Sequence, residues 1–345
     1  MITATTSPRF LLIQTAFIGD VVLATALLEQ LRTVYPDAVL DMLVRKGNEG
    51  LLANHPFLND VLVWDKKKAK YPNWWRLLKT IRSRTYDVVI NLQRFGATGL
   101  LTVLSGAETT VGFAKNPFAN LFTHQVEHRF EAGIHEVDRN TQLLLALEKV
   151  KYLRVKAEAR QPEARPMLYP SAADYAVVKG YQNQPYVCIA PMSVWFTKQY
   201  PAEQWIELIK ALPIDVTIYL LGAPGDTSAC DDIRAATGGG KRVVNLAGQL
   251  SLLQSAALQQ DAVMNYVNDS APLHLCSAMN APTTAVFCST IPEFGFGPLA
   301  DVSRVVQTPE LLECKPCNLH GQKACPLGHF RCAWGIQINE LAQLD

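Results

Sequence analysis

Three short turns and a cysteine-rich end hold the residues of this chain whose types and spacing suit chemistry. The first turn is Gln14-Thr15-Ala16-Phe17-Ile18-Gly19-Asp20, set between an apolar run and a stretch of helical period. Asp20 can cap that helix, with Gly19 making the turn. It can also act as a carboxylate at a strand's carboxyl end that takes a proton from an acceptor hydroxyl. The second turn follows Pro191 and carries Ser193, Thr197 and Lys198 ahead of a helix starting at Pro201. Lysine is a point charge for phosphate, and the surroundings of a helix N-terminus favour anions. An ordinary loop lysine is the plain alternative. The third turn is Asn268-Asp269-Ser270-Ala271-Pro272-Leu273-His274. Asp269 or Ser270 caps a helix whose first N–H groups can receive a phosphate. Asp269 itself would repel a diphosphate at close range and suits sugar hydroxyls better. His274 lies one turn on, and a lone helical histidine reads first as a packed residue.

The chain has eight cysteines, none before Cys188. Cys314, Cys317, Cys325 and Cys332 crowd its end in the pattern C-x2-C-x7-C-x6-C. The first pair has metal-knuckle spacing, and four thiolates suit a tetrahedral Zn or Fe ion in a structural role. His320 and His329 are spare ligands. Four reduced thiols, or a disulfide on oxidation, are the alternative. Cys188, Cys230, Cys276 and Cys288 fall in strands or helices and read as core residues.

Strands and helices must position these turns. Apolar runs predict strands over 9–15, 39–44, 60–64, 86–92 and 109–113. Helical period predicts helices from Gly19-Asp20 to Tyr35, over 73–82 and over 136–150. In the first of these, Val21, Leu27, Leu28 and Leu31 share one face. Residues 156–170 hold charges and three prolines and read as a linker. The alternation then repeats, with strands over 186–191, 216–221, 243–244, 262–267 and 283–288. Helices run from Pro201 to Ala211, to about Ala236, over 251–260 and over 270–279. Strand–helix alternation in both halves predicts an α/β chain with two parallel sheets flanked by helices, and ligands beyond the strands' carboxyl ends. The expected division is an N-terminal domain over 1–165, a second over 166–310 and a cysteine-rich tail over 311–345.

Composition narrows the functions. The 345 residues are 49% hydrophobic and 18% charged, and 32 Lys plus Arg against 31 Asp plus Glu give +1. That balance exerts no global pull on nucleic acid. Lys66-Lys67-Lys68 is a dense basic run and reads as a solvated strand end. No run reaches the length of a membrane span, and the N-terminus lacks a cleavage pattern, so a cytoplasmic protein is expected. A nicotinamide enzyme would want three spaced glycines in the first turn, which has one.

Together the turns carry a resemblance that none supports alone. FLLIQTAFIGDVVLATALLEQLRTVYPDA, KQYPAEQWIEL and NDSAPLHLCSAMNAPTTAVF, with LLGAPGD and NLAGQLSLLQSAALQQDA between, resemble the ADP-heptose:lipopolysaccharide heptosyltransferases, glycosyltransferase family 9. The resemblance spans Arg9 to about Pro298. It implies a GT-B fold, two Rossmann-like domains whose sheets face across a cleft. It also implies inverting transfer of a heptose from ADP-heptose to a sugar hydroxyl, without a catalytic cofactor. By resemblance Asp20 matches the base, and Lys198 with Thr197 the group on the donor phosphates. Asp269 matches the donor-sugar contact, Ser270 the phosphate cradle, and Gly222 to Asp226 the adenosine region. His274 joins the donor-binding set. Ala271 stands where many relatives carry Gly, which makes close backbone approach harder. Some members carry a C-terminal four-cysteine metal finger. The implied partners are ADP-heptose and a glycan or glycolipid acceptor, with at most peripheral contact at the membrane's inner face. A homo-oligomer clamped by the tail is compatible with this reading. His135, Glu136 and Arg139 could touch a phosphorylated acceptor, but packing is preferred. A non-catalytic sugar-nucleotide-binding or assembly protein is the alternative, which would have no need of Asp20.

Overall fold

The structure is a computed structural model that describes residues 7–129, 131, 133–150 and 165–342. Residues 156–164 of the expected linker lie outside the described residues. The chain divides into two compact units, one of residues 1–130 and 136–169, the other of residues 131–135 and 170–345.

Unit 1 is a sheet of β1 (Arg9–Ile13), β2 (Val39–Arg45), β3 (Leu58–Trp64), β4 (Val88–Asn91), β5 (Thr109–Phe113) and β6 (His124–Val126) in the order β3-β2-β1-β4-β5-β6. Every pairing is parallel. The flanking helices are α1 (Ile18–Val34), α2 (Lys70–Ser83), α3 (Gly96–Leu104) and α4 (Glu136–Leu145). Strand order reverses between β1 and β4, so the switch point, where ligands bind in such sheets, lies at the loops that follow them. Asp20 lies in the first turn of α1, just beyond the first of those loops.

Helix α1 is buried on more than the one predicted face, with every residue from Val21 to Leu28 covered. The sheet lies on one side. On the other, Thr141 of α4 bonds Gln30 at 3.0 Å, Met167 N–H donates to Thr25 Oγ1 at 2.9 Å, and Tyr169 OH bonds Glu29 at 2.9 Å. Buried Asp41 in β2 is fully engaged by Arg84 at 2.8 Å, Tyr86 at 2.5 Å and Asn59 at 2.9 Å. Such pairing is what a buried charge requires.

Two elements of unit 1 escaped sequence reading. Helix α3 was hidden by Gly96 and Gly99. At Gly99 a Cβ would collide with the Asn116 side chain, so glycine is required by close approach. Strand β6 is three residues long and only half-buried. The helix predicted over 136–150 ends its α-helical part at Leu145 and tightens into a 3₁₀ turn over Ala146–Lys149.

Unit 2 repeats the plan with β7 (Tyr186–Ala190), β8 (Thr217–Leu220), β9 (Val243–Asn245), β10 (Met264–Asn268), β11 (Thr283–Val286) and β12 (Ser303–Val306) in the order β12-β11-β10-β7-β8-β9. All pairings are again parallel. Read from the other edge this is the topology of unit 1, with its switch point between β7 and β10. Helices α5 (Ala172–Val178), α6 (Ala202–Ala211), α7 (Thr227–Ala236), α8 (Leu252–Gln260) and α9 (Ala271–Met279) flank it. Pro201 proves to be the N-cap of α6, just ahead of its expected place. Strand side chains alternate between two cores. Val187, Ile189, Ile218 and Leu220 meet Trp205, Leu208 and Ile233 on one face. Tyr186, Cys188 and Tyr219 meet Leu258, Leu273 and Cys276 on the other. The cysteine-rich segment packs on the first face. Phe330, Cys332, Ala333, Ile336 and Leu341, from the short helices α10 (Arg331–Trp334) and α11 (Ile338–Leu341) and their flanks, complete that core.

Candidate functional site

In unit 1 the carboxyl ends of adjacent strands gather charge. Asp20 follows β1, Arg45 closes β2, Arg94 follows β4, Lys115 follows β5, and Glu136 opens α4. Asp20 is the third residue of α1 and accepts the Phe17 N–H at 3.1 Å, so it caps from inside the first turn, with Phe17 as the N-cap and Gly19 within the helix and not in the turn expected of it. Burial nevertheless pushes its carboxyl up from 3.8 to about 6, and the Glu136 carboxylate adds to the rise. The Phe17 N–H, its own N–H and Arg45 oppose this without cancelling it. Lys115 lies 5.3 Å from the centre of the Phe113 ring. Burial pulls its ammonium down to about 8 against the favourable charge of Glu136, while Arg94 and Arg139 lower it further. Burial works against the Glu136 carboxylate too, but His128 at 3.3 Å and Arg139 at 3.0 Å hold it below the usual range. Sequence reading placed Glu136 and Arg139 in packing roles. The link of Glu136 to Asp20 is not legible in sequence because more than a hundred residues separate them. Lys66 is not a solvated strand end as expected. Its Nζ donates to Thr15 O at 2.9 Å and Thr15 Oγ1 at 3.0 Å, bracing the turn that carries Asp20. Lys67 and Lys68 are exposed.

In unit 2 the switch point brings together Lys198, from the loop after β7, and Asp269, from the end of β10. Lys198 Nζ lies 2.6 Å from Asp269 Oδ2, and both side chains are largely buried. Thr290, after β11, donates to the same oxygen at 2.6 Å. His274 is 6% exposed, and its Nδ1 has no hydrogen-bond partner among the described residues. Burial drives its pKa down to about 4 despite the Asp269 charge, and His135 and Lys198 push it lower still. The imidazole is therefore neutral, with one ring nitrogen spare for a ligand. His135 bonds the Gly297 carbonyl oxygen at 3.2 Å.

Other predicted members stand differently. Thr197 is 1% exposed, and its hydroxyl accepts from Ser289 Oγ at 2.9 Å and Gln322 N at 2.8 Å. It anchors the loop, with its hydroxyl already engaged. Ser270 is the N-cap of α9, yet its side chain makes only a 3.4 Å bond to Asn268 O. The cradle at this helix start is narrower than expected, because Pro272 has no N–H and the Leu273 N–H is bonded to Ser270 O. Gly222 lies two residues beyond β8, where a Cβ would be 2.9 Å from Asp226 Cβ and 3.3 Å from Ala247 Cβ. Asp226 in turn accepts the Ala223 N–H at 2.8 Å, closing the turn expected near adenosine.

The cysteine expectation finds no ligand set in this arrangement. Among the described residues no group of three or more His, Cys, Asp or Glu side chains is placed to hold a metal. Cys332 is turned into the apolar core, where burial first and the neighbouring Cys317 thiol next push it up to about 11. Cys314 Sγ lies 3.9 Å from His329 Nε2. The four thiols influence one another's charge but do not form a ligand set. All eight cysteines are free, and Cys188, Cys230, Cys276 and Cys288 are buried as expected.

The chain resembles known proteins throughout. The model of "Glycosyltransferase family 9 (heptosyltransferase)" matches residues 74–327. The chain is 28% identical over 285 residues to lipopolysaccharide heptosyltransferase 3 of Escherichia coli, covering 79% of this chain and 82% of that one. It is 23% identical over 318 residues to lipopolysaccharide heptosyltransferase 2 of Escherichia coli K12, covering 87% and 88%. Among solved structures, a family 9 glycosyl transferase from Veillonella parvula superposes with a TM-score of 0.82 at 18% identity, over 98% of this chain and 96% of that one. ADP-heptose LPS heptosyltransferase II of E. coli gives 0.74 at 22%, over 90% and 95%. TibC of E. coli, described as a dodecameric iron-containing heptosyltransferase in complex with ADP-D-beta-D-heptose, gives 0.56 at 14%, over 98% and 75%. The fold is that of these GT-B enzymes. With a family match over most of its length and the family's fold in both units, the chain belongs to glycosyltransferase family 9, the heptosyltransferases, and is a glycosyltransferase.

Proposed function

We propose that the protein moves a heptose from ADP-heptose to a sugar hydroxyl of a lipopolysaccharide core or related surface glycan, with inversion at the anomeric carbon. Unit 1 handles the acceptor and its proton, and unit 2 handles the nucleotide. Asp20 takes the proton of the acceptor hydroxyl. That oxygen forms the new bond to the anomeric carbon, and the bond to the diphosphate breaks with its electron pair leaving on ADP. Lys198 and the start of α9 at Ser270 stabilise the charge that develops there. Asp269 and the spare His274 nitrogen hold the donor sugar, and the turn after Gly222 receives the adenosine. One observation carries this reading: a carboxyl at the switch point of unit 1 is held at about 6, where a general base works near neutral pH. The family match begins downstream of Asp20, so the role of Asp20 rests on its own surroundings. A protein that only binds sugar nucleotides has no use for such a base, which disfavours the binding-module alternative.

Calorimetry with ADP-heptose, ADP, UDP and GDP tests the donor assignment. Preferential ADP-heptose binding, lost in Lys198→Ala and Asp269→Ala, is the expected result. Tighter binding of UDP or GDP would overturn the donor.

The proposal includes peripheral contact with an anionic membrane. Residues 66–86 hold eight basic residues and no acidic one, in a chain of net charge +1. Tyr71 and Trp75 of α2 are 73% and 58% exposed, and Arg76, Lys79 and Arg82 are exposed beside them. Interfacial aromatics flanked by cations suit a phospholipid surface. Among the described residues no helix is long and apolar enough to cross a membrane. A structural metal at the tail is part of the proposal on its spacing alone. Holding one would require the Cys332 thiol to lose its proton and turn out of the core.

A further inference from the structure

We infer that the cysteine-rich segment is a wall of the donor site, whose Gly321 and Gln322 hold the loop that presents Lys198. This rests on the reading that Lys198 meets the donor diphosphate. Between β7 and α6 that loop has only one short turn, Phe196–Lys198, of regular structure. The tail grips it along its length. Thr197 N–H donates to Gln322 O at 3.1 Å, and Gln322 N–H donates back to Thr197 Oγ1 at 2.8 Å. Ser289 Oγ donates to the same hydroxyl at 2.9 Å, while the Ser289 carbonyl oxygen accepts the Cys317 N–H at 3.0 Å. Phe196 stacks on Phe330 with ring centres 5.1 Å apart, and Tyr200 OH reaches Ile336 O at 3.4 Å.

Gly321 marks how close the approach is. A Cβ there would lie 2.9 Å from Lys198 Cγ, 3.1 Å from Trp195 Cβ and 3.3 Å from Thr197 Oγ1, and its φ is +79°. Only glycine lets the tail backbone lie against the stem of the lysine. On the loop's other side the Lys198 head meets Asp269, which Thr290 also bonds. Ser289 and Thr290 are consecutive. One short stretch after β11 therefore ties the tail to the loop and the loop's target to itself. A flexible lysine acts as a fixed phosphate contact only when its backbone is fixed first, and the tail supplies that constraint. Thr197, Ser289 and Gly321 are positioning residues.

The test uses the full chain, with ADP affinity by calorimetry and donor and acceptor KM values measured side by side. Thr197→Val removes the shared hydroxyl at nearly constant volume, Thr197→Ser keeps it, and Gly321→Ala pushes on the lysine stem. Thr197→Val and Gly321→Ala should each weaken ADP binding about tenfold or more with the acceptor KM unchanged, since buried donors lose their partner or the lysine is displaced. Thr197→Ser should stay within about threefold of the parent. Lys198→Gln, which removes the charge but can still bond Asp269, reports on the underlying reading. If it binds ADP normally, the donor-site reading fails and this inference with it. If it loses ADP while Thr197→Val and Gly321→Ala bind like the parent, the tail is scaffold only and the inference alone is refuted. Equal changes in donor and acceptor KM would also refute it. Should Thr197→Val not fold, Gly321→Ala and Ser289→Ala decide, the latter expected to be intermediate.

Discussion

Asp20→Asn should slow the enzyme and stabilise unit 1, and the second effect depends on pH. The folded protein holds the Asp20 proton up to about 6, against 3.8 for the ordinary side chain. Between those values the folded state binds more protons than the unfolded one, so stability falls as pH rises through the window. At about 1.4 kcal/mol per pH unit the full gap corresponds to roughly 3 kcal/mol. Solvent reaches the half-buried side chain, which brings the expectation to about 1–2 kcal/mol. Asparagine keeps an oxygen for the Phe17 N–H and so retains the cap. The variant should match the parent near pH 4 and exceed it by that margin at pH 8, measured by urea unfolding at both. Its turnover should fall by about 10²-fold or more. The parent's kcat/KM should decline as pH drops through about 6, as the base becomes protonated. A variant that is less stable at pH 8, or whose gain does not change with pH, would refute the reasoning, because the carboxylate would then carry no burial cost.

Further outcomes follow from other sites. Lys198→Met strands the buried Asp269 carboxylate with only Thr290 as partner, so stability should fall by about 3 kcal/mol, the low end for a broken buried pair. The double variant Lys198→Met with Asp269→Asn should return to within about 1 kcal/mol of the parent in the same unfolding assay. The protein should sediment with vesicles containing anionic phospholipid and not with neutral ones, and Trp75→Ser with Lys79→Glu should abolish this while kcat on a soluble acceptor is kept. Elemental analysis of the purified protein should find about one Zn or Fe per chain if the cysteine spacing is that of a metal finger. A metal-free, folded protein would leave the segment as the packed tail that the structure shows.

Strand–helix alternation was readable because both sheets are buried on both faces, and their strands appear as short continuous apolar runs such as Phe10-Leu11-Leu12-Ile13. The edges were not. Strands β6 and β12 are short and partly exposed, so neither produces a run. The three chemical turns were readable because topology places them where a strand gives way to a helix. Lys198 and Asp269 were then brought together by the fold, although 71 positions separate them. The packing of the tail was not legible because four cysteines drew attention from Phe330, Ala333, Ile336 and Leu341, which join the core that holds Trp205 and Leu208 of α6 and Ile233 of α7. Polar residues dominate the segment just before Phe330, and spacing alone cannot tell a metal knuckle from a loop pinned by its backbone.

The two roles proposed for the units rest on a difference between their switch points. Each places an aspartate beyond a strand at the switch point. In unit 2 a lysine lies 2.6 Å from that carboxylate, which makes a fixed binding pair and leaves no free base. In unit 1 the largest influence after burial is another carboxylate, Glu136. Asp65 shows how a carboxylate with backbone N–H contacts behaves without such surroundings. It too accepts backbone N–H groups, from Lys67 and Lys68 at 3.0 Å, and the Lys68 N–H together with the Lys46 ammonium holds it at about 2. Asp20 has a cap bond as well and lies at the N-terminus of a 17-residue helix, whose dipole also favours its anion. An exposed carboxylate with these contacts alone would sit below 3.8. That Asp20 sits at about 6 means that burial outweighs the cap bond and the dipole there, at a cost in stability, and proton transfer is the use we propose for it.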